Sequence, residues 1–482
     1  MLKKLKLLFL DTSLFRVSYI MFLFFSMVMY IEKVAIWVQY GLFVWGFFLS
    51  LYSVIVRKSY KRLYFGIWLM AFLLSFTLTI VFNISSNLTA LLYNIGMLIN
   101  VSICFFVFYG MYLEKGVPFR WELYLTARLI VYLATLFTFI GLILMLFTHG
   151  RYDAYMYYKG EVFKGFFTNP NYQGYASAIS IIFCHMLTKP NFVVNSGQKR
   201  VSRIILVSCV VLNMIALLLC DSTASLVLLV VYAAVFVIIK LFSMIEELTV
   251  KKMLSRVAML IVTGVVMVAL MIFMRTSFRL GVVSLFSGEG GVDPEIYNKI
   301  SSQGAFKFLE DSGFTSRVSL WQSGIKVFLS NPILGVGKGN LYDCMIAAGC
   351  KSPCPTFYGK YDRILFSDLH NGYLMLLVTA GIIGFLLFMT FIVRVLRMTV
   401  PVWFVHRRIM MYSAYPCLLA FMFAYFVYAL VEKTILFDVS FLVISFWTVL
   451  GYLACYAIDF GYDRRGRTKF KVFGKSIRKR LY

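Results

Sequence analysis

One histidine stands at the entrance to a long apolar segment and is the first candidate for chemistry. The stretch SDLHNGYLMLLVTAGIIGFLLF, residues 367–388, places His370 next to Asp368 and Asn371, directly before the apolar residues. An imidazole titrates near neutral pH, so His370 is suited to accept a proton from a hydroxyl group. Asp368 is placed either to orient the imidazole or to cap the helix that follows.

Arg317 is the second candidate, in the stretch FTSRVSLWQSGIKVFLSNPILGVGKGN, residues 314–340. A helix is predicted there, because apolar residues recur at helical spacing: Leu320, Trp321, Ile325, Phe328 and Leu329. A cap at Thr315 or Ser316 places Arg317 in the first turn. Free N–H groups and a guanidinium at a helix start can bind an anion such as phosphate. A solvated arginine is the alternative interpretation.

The glycine-rich stretch GVGKGN, residues 335–340, adds Lys338 as a candidate second phosphate contact. It does not follow the phosphate-loop pattern, because Pro332 occupies the position of the first glycine and Gly339 follows the lysine. A tight turn after a helix also accounts for these glycines. The stretch TAGIIGF, residues 379–385, has small residues that permit close helix packing.

The composition places these candidates in a membrane protein. Hydrophobic residues make up 61% of the 482 residues and charged residues 14%, whereas soluble domains carry about a quarter charged residues. Repeated apolar runs of about 20 residues match the roughly 30 Å hydrocarbon core of a bilayer. The predicted fold class is an all-α polytopic membrane protein with about 12 transmembrane helices and one large extracytoplasmic loop. No small-residue cleavage site follows the first apolar run, so no cleavable signal peptide is expected.

The apolar runs predict spans at these approximate positions: 14–31, 34–56, 63–83, 88–113, 123–148, 172–188, 204–220, 224–243, 257–274, 371–393, 409–430 and 439–458. Residues 1–274 then hold nine spans, and residues 275–369 form the large extracytoplasmic catalytic loop. Residues 370–482 hold three spans and a basic cytoplasmic tail, with His370 at the boundary. Arg16 and Arg128 fall within predicted spans.

The net charge of +26 invites a nucleic-acid interpretation, but the positions of the basic residues indicate a membrane topology. Lys and Arg concentrate in alternate short connections and in the tail 459–482, which by the positive-inside rule places both termini in the cytoplasm. The loop 275–369 is then external, and the tail is a topology anchor on anionic lipid. No nucleic-acid partner is expected.

No cofactor or metal is expected. The connections on the cytoplasmic side are too short for a nucleotide-binding domain, and no Cys/His spacing predicts a metal site. Three of the nine cysteines, Cys344, Cys350 and Cys354, lie in the long external loop. One disulfide among them is compatible with the sequence, and its pairing stays open.

Three stretches occur in an order and spacing that resemble the bacterial O-antigen ligase and polysaccharide polymerase superfamily: GFFTNPNYQGYA (165–176), SRVSLWQSGIKVFLSNPILGVGKGN (316–340) and HNGYLMLLVTAGIIGFLLF (370–388). The resemblance covers roughly 165–390, and the second and third stretches are the specific ones. It implies a multi-spanning glycosyltransferase of the GT-C type. Such an enzyme moves a glycan from an undecaprenyl-diphosphate carrier to an acceptor at the outer face of the cytoplasmic membrane, without metal.

The resemblance also implies roles for individual residues. Arg317 matches the loop arginine of the superfamily, and His370 matches its essential histidine. The external turn CDSTASL, residues 220–226, departs from the pattern, because Thr223 stands where the arginine of a Ser-Arg pair is expected. The candidates to replace that arginine at the diphosphate and the glycan are Arg275, Arg279, Arg151 and Lys164.

Three functions are open, and a polymerase is slightly favoured, since the long loop lacks a recognisable acceptor-specific module. A polymerase of surface polysaccharide (O-antigen, capsule or exopolysaccharide) takes another lipid-linked repeat unit as acceptor, whereas a ligase takes a cell-envelope acceptor. The rival of a different class is a lipid-linked oligosaccharide flippase, which the absence of an internal repeat disfavours. The expected partners are a lipid-linked oligosaccharide donor, a glycan acceptor and membrane lipids, together with a flippase and a chain-length regulator.

Overall fold

The computed structural model describes the chain in segments, together with scattered positions between 254 and 284 and two short strands: 9–28, 31–84, 88–114, 119–147, 162–190, 201–243, 312–350, 368–433 and 435–460. The side chains of 31–36 and 312–316 are outside this description. Within these segments the fold is helical apart from one small antiparallel hairpin, in which Thr356 pairs with Leu365.

The elements follow the chain in this order: α1 Thr12–Phe25, α2 Ile31–Ile55, a 3-10 turn Ser59–Lys61, α3 Gly66–Phe82, α4 Leu88–Ile103 with π and 3-10 extensions to Leu113, α5 Phe119–Phe147, α6 Pro170–Leu187, α7 Arg203–Leu219, α8 Thr223–Ser243, α9 Ser312–Ser330, α10 Leu341–Ala347, β1 Pro355–Phe357, β2 Ile364–Phe366, α11 Gly372–Met410, α12 Tyr415–Tyr428 and α13 Phe441–Phe460. Helices therefore occupy the predicted spans, except that 257–274 lies largely outside the described residues.

Length and composition make six of the described segments able to cross a membrane: Trp37–Ile55, Leu88–Leu113, Phe119–Phe147, Thr223–Ser243, Gly372–Met410 and Phe441–Phe460. Four further helices are apolar but shorter, namely α1, α3, α7 and α12. The prediction of an all-α polytopic membrane protein is confirmed at this level. The number of twelve spans and the GT-C architecture stay predictions.

Helix α11 is longer than the predicted tenth span. It runs from Gly372 to Met410 and so includes residues 394–408, which were predicted to form a cytoplasmic loop. Pro401 lies inside it, and the backbone leaves helical geometry at Gly381 and His406. The predicted loop is therefore wrong as a structural assignment, because basic residues beyond the apolar run do not by themselves end a helix.

The segment that follows α9, residues 331–340, packs into the break at Gly381, where φ is +66°. Val336 N donates to Val378 O at 3.1 Å and Gly337 N donates to Thr379 O at 3.0 Å. On the other side of the break, Ile382 N donates to Pro332 O at 2.8 Å. Backbone groups released by a broken helix must find partners where water is scarce. The 331–340 segment supplies them.

Helices α3 and α4 hold the same segment from its other side. Asn83 Nδ2 donates to Gly335 O at 3.0 Å, and Gly339 N donates to Asn94 Oδ1 at 2.7 Å. Gly335 and Gly337 have φ of +74° and +75°, a conformation that favours glycine. The glycines of GVGKGN therefore form a tight turn docked between helices, as the alternative to a phosphate loop predicted.

Arg16, a charged residue within the first predicted span, belongs to a buried ionic cluster. Its guanidinium donates to both Glu122 oxygens at 2.7 Å, and Glu114 lies 3.1 Å away. Tyr452 on α13 also donates to Glu122, at 2.9 Å. The charges compensate one another, which is how ionic groups are retained inside a bundle. This cluster joins α1, α5 and α13.

Candidate functional site

The turn before α11 fixes the backbone of His370. Asn371 is the N-cap of α11, since its Oδ1 accepts hydrogen bonds from Tyr373 N and Leu374 N, each at 3.0 Å. Asp368 Oδ1 accepts from the backbone N of His370 at 2.6 Å, and His370 has a φ of +47°. Asn371 therefore caps the helix, and Asp368 shapes the turn that presents the imidazole.

The imidazole of His370 lies between two carboxylates. Its Nδ1 is 3.5 Å from Asp368 Oδ2 and 3.6 Å from Glu432 Oε2. These separations are ion-pair contacts rather than short hydrogen bonds. Asp368 and Glu432 are 4% and 6% exposed, while the His370 side chain is 27% exposed. The histidine is thus reachable from outside, and the acids lie behind it.

These neighbours set the pKa of His370. Burial lowers it, but Glu432 and Asp368 favour the imidazolium, and the positive charge of Arg317 opposes them. The balance raises the pKa above its ordinary value of 6.5. A neutral imidazole with its proton on Nδ1, facing the carboxylates, leaves Nε2 as the acceptor for an incoming proton.

Arg317 reaches the same carboxylate from helix α9. Its Nη2 lies 3.5 Å from Glu432 Oε1, and its side chain is 24% exposed. Helix α9 is docked on the histidine turn, since Trp321 Nε1 donates to Leu369 O at 2.8 Å. The two sequence-predicted catalytic residues, Arg317 and His370, therefore meet at Glu432.

The predicted position of Arg317 at a helix start is wrong. Helix α9 begins at Ser312, so Arg317 lies in the second turn, and neither Thr315 nor Ser316 is the N-cap. Arg317 is therefore not in the first turn, where the free N–H groups of the helix lie. The helix ends at Ser330, directly before Asn331 and Pro332.

Lys338 lies behind Asp368, away from the surface. Its side chain is 2% exposed, and its Nζ is 4.0 Å from Met375 Sδ. Burial and the charge of Lys433 lower its pKa to about 8, against the opposing influence of Asp368 and Asp438. A phosphate contact needs an accessible ammonium, so this structure does not present Lys338 as one. Its charge instead belongs to the buried group around Asp368.

Glu432 and Lys433, which lie between α12 and α13, were not predicted from the sequence. Lys433 Nζ is 3.6 Å from Asp368 Oδ2 and 3.7 Å from Asp438 Oδ1. Burial lowers the pKa of Lys433, but Asp438 and Asp368 outweigh it and hold that pKa well above its ordinary value. The available signal was the adjacent acid and base in LVEKTILFDVSF, residues 430–441, between two apolar helices.

Of the four candidates to replace the missing arginine of the 220–226 turn, Arg275 lies at that turn. Arg275 forms an ion pair with Asp221, in the 220–222 turn directly before Thr223. This puts a guanidinium at the turn where the resemblance leads one to expect an arginine. Lys164 is partly buried in the segment before α6. Arg151 and Arg279 lie outside the described residues.

The sequence leaves open a disulfide among three external cysteines and predicts no metal site. Cys344 and Cys350 are thiols in this structure, and Cys354 lies outside the described residues. Asp368, His370 and Glu432 have ligand atoms within 4.8 Å of one another, a separation that suits a metal ion. However, Lys433 and Arg317 already neutralise these acids, so a divalent cation fits this donor set poorly. The expectation of a metal-free site stays a prediction.

Fold and site together define an integral membrane protein of apolar helices with a histidine, an arginine and two carboxylates assembled at the end of one helix. Residues 205–389 match the family model described as O-antigen ligase. The match covers less than half of the chain and supports the resemblance of the motifs to the O-antigen ligase and polysaccharide polymerase superfamily. Members of this family are membrane glycosyltransferase-like enzymes that act on lipid-linked glycans. No curated protein matches the chain significantly.

Proposed function

We propose that this protein is a metal-independent glycosyltransferase that polymerises surface polysaccharide from undecaprenyl-diphosphate-linked repeat units. The observation that carries the proposal is the shared carboxylate, since Glu432 lies 3.5 Å from Arg317 and 3.6 Å from His370. It brings a permanent cation and a titratable base to one point, next to the start of an apolar helix where a lipid carrier can lie.

The chemistry follows from the two side chains. The acceptor hydroxyl oxygen forms a bond to the anomeric carbon of the donor, and its proton passes to Nε2 of His370. The bond from the anomeric carbon to the phosphate oxygen breaks, and its electron pair leaves on the diphosphate. Arg317 stabilises that developing charge through its bidentate guanidinium. Arg275, at the 220–222 turn, is proposed as a second diphosphate contact, with Lys164, Arg151 and Arg279 as glycan-facing candidates.

The proposed setting is the outer face of a bacterial cytoplasmic membrane, with both termini in the cytoplasm. The distribution of Lys and Arg in the short connections supports this orientation. A flippase that delivers the donor and a regulator of chain length are the proposed protein partners. Alkaline phosphatase fused after residue 300 should be active and a fusion after residue 482 inactive; the reverse pattern contradicts both the topology and the site.

Ligation to a cell-envelope acceptor is the second candidate, because polymerase and ligase share this site and differ in the acceptor. A flippase is disfavoured, since transport needs no base and cation assembled on one carboxylate. An assay of the purified protein with a synthetic lipid-linked repeat unit, in EDTA, distinguishes polymerase, ligase and flippase. Lengthening glycan supports the polymerase, and transfer only to an added envelope acceptor supports the ligase. Absence of transfer that magnesium or manganese restores contradicts the metal-free mechanism.

A further inference from the structure

In this structure the Arg317 guanidinium contacts a carboxylate. Glu432 is 6% exposed and holds Arg317 with one oxygen and faces His370 with the other. Glu432 Oε1 and His370 Nδ1 are both buried without a hydrogen bond at these distances. A diphosphate carries more charge than a carboxylate and competes for the same guanidinium. Binding of the donor diphosphate to Arg317 must therefore change the contact between Arg317 and Glu432.

We propose that Glu432 is a positioning residue that exchanges partners when the donor binds: Arg317 moves from Glu432 to the diphosphate, and Glu432 then accepts a hydrogen bond from Nδ1–H of His370. This inference rests on the proposed function. Glu432 orients the imidazole and stabilises the imidazolium as Nε2 takes the acceptor's proton, without itself becoming protonated. The exchange makes the base competent only after the donor is in place.

The groups that face His370 restrict the alternatives. Asp368 is committed elsewhere, since one oxygen accepts from the His370 backbone and the other lies 3.6 Å from Lys433. Lys433, Lys338 and Asp438 lie behind Asp368. Tyr172, at the start of α6, also lies within electrostatic range of these acids. Glu432 is the carboxylate in contact with both His370 and the donor-binding cation, so it is the group able to couple them.

The test is Glu432→Gln in the full-length protein, with Asp438→Asn as the matched control because it removes a carboxylate from the same charged group. Donor affinity should be unchanged or higher in Glu432→Gln, since Arg317 loses a competing anion, while turnover falls at least about tenfold. The ascending limb of the turnover profile should move to lower pH, because the carboxylate no longer favours the imidazolium. Asp438→Asn should leave that limb in place.

Each outcome decides the inference. Weaker donor binding in Glu432→Gln, or an unmoved pH limb, overturns the exchange while leaving the proposed function intact, provided that the wild type elongates glycan. If the wild type does not act on a lipid-linked donor, the proposed function itself fails. If Glu432→Gln does not accumulate in the membrane, the test uses Glu432→Asp instead. The measured quantity is then the affinity of this variant for a non-hydrolysable diphosphate lipid. A shorter side chain loosens the Arg317 contact, so tighter binding supports the exchange and weaker binding overturns it.

A second and independent feature is a basic cavity of about 560 Å³ at the opposite end of the bundle. Lys189, Lys240 and Arg408 line it, from the ends of α6, α8 and α11, together with the hydroxyl-bearing Thr188 and Ser243. No acidic residue is among its described lining. Arg408 lies near the far end of the 39-residue α11, whose other end follows His370. The cavity therefore lies near the end of α11 that is remote from His370.

We infer that this cavity binds the phosphate headgroup of an anionic phospholipid. Three cations converging from three helices suit a phosphate, and basic pockets between helices at the cytoplasmic face are a known way to hold anionic headgroups. Lys189 Nζ is held 4.4 Å from the centroid of the Phe236 ring, which fixes one ammonium at the rim without neutralising it.

The test compares Lys189→Gln/Lys240→Gln with the matched double variant Lys61→Gln/Arg203→Gln, whose basic side chains are exposed elsewhere. Native mass spectrometry of purified protein should show phosphatidylglycerol or cardiolipin retained over phosphatidylcholine. The cavity variant should lose at least about tenfold in affinity, and the control should not. Equal loss in both variants, or equal retention of phosphatidylcholine, overturns the inference. Displacement of the lipid by inorganic phosphate at equal concentration would mean a free-anion site and also overturns it.

Discussion

Arg317 on α9 lies 3.5 Å from Glu432, the same carboxylate that faces His370 at the start of α11. Three separate parts of the chain thus meet at one buried acid. Arg317 therefore compensates the charge of Glu432 in this structure, whereas the proposed chemistry needs Arg317 to bind the diphosphate.

Replacing Arg317 should therefore change both stability and activity. In Arg317→Gln the mostly buried Glu432 loses its cation, which should cost about 1–3 kcal/mol of unfolding free energy. The double variant Arg317→Gln/Glu432→Gln should recover most of this loss, since no charge is left behind. Thermal unfolding in detergent measures both. Activity should stay abolished in the double variant, and Arg317→Lys should rescue poorly because a point charge cannot form the bidentate fork.

His370→Asn separates a catalytic from a structural role. Asparagine tolerates the left-handed backbone at this position, where φ is +47°, so the turn and the protein level should be retained. Polymer formation should nevertheless fall about 10²–10⁴-fold, as expected for loss of a general base. Donor binding should be spared. Normal glycan chain lengths in cells carrying His370→Asn would contradict the catalytic role.

The matched control for that variant is Asn371→Ala. It removes the side chain that caps α11, which should cost about 1 kcal/mol of unfolding free energy, while the imidazole stays in place. We expect reduced thermal stability with activity per folded molecule largely kept, the opposite pattern to His370→Asn.

Activity should rise with pH above 6.5. The pKa of His370 is raised because Glu432 and Asp368 outweigh the effect of burial, so the neutral imidazole becomes populated only at higher pH than for a free histidine. The same shift stabilises the folded state. That contribution is full below pH 6.5 and is lost as the pH rises through the folded-state pKa. Turnover and thermal unfolding of wild type and His370→Gln, measured from pH 5 to 9, check both expectations.

Gly381→Ala should prevent stable folding. A Cβ at Gly381 overlaps the carbonyl of Ile333, and its positive φ strains any other residue. The 331–340 segment would have to move, with loss of the hydrogen bonds that it forms on both sides of the break. Gly96→Ala on α4 is the control, because a Cβ there meets nothing within 4 Å; it should be neutral or slightly stabilising. Membrane levels and melting temperatures distinguish the two, and equal behaviour would contradict the packing at the break.

The helices could be predicted from the sequence because each apolar run is a local pattern. His370 and Arg317 were also predictable, since each stands in an unusual local context. Glu432 was not, because its role depends on α9 and α11 packing against the 428–441 connection, which no local pattern reports. The first-turn position of Arg317 failed for a local reason: Thr315 and Ser316 are good caps, yet the helix already begins at Ser312.

The 331–340 segment also limits which parts of this protein can be exchanged with those of a relative. Its carbonyls and amides are held by Asn83 and Asn94, and it fills the break at Gly381. The loop that carries Arg317 is therefore not an exchangeable cassette. A chimera that takes residues 312–350 from a relative must take the facing surfaces of α3, α4 and α11 as well. Acceptor preference, if it resides in this loop, is then inherited together with the helices and not by the loop alone.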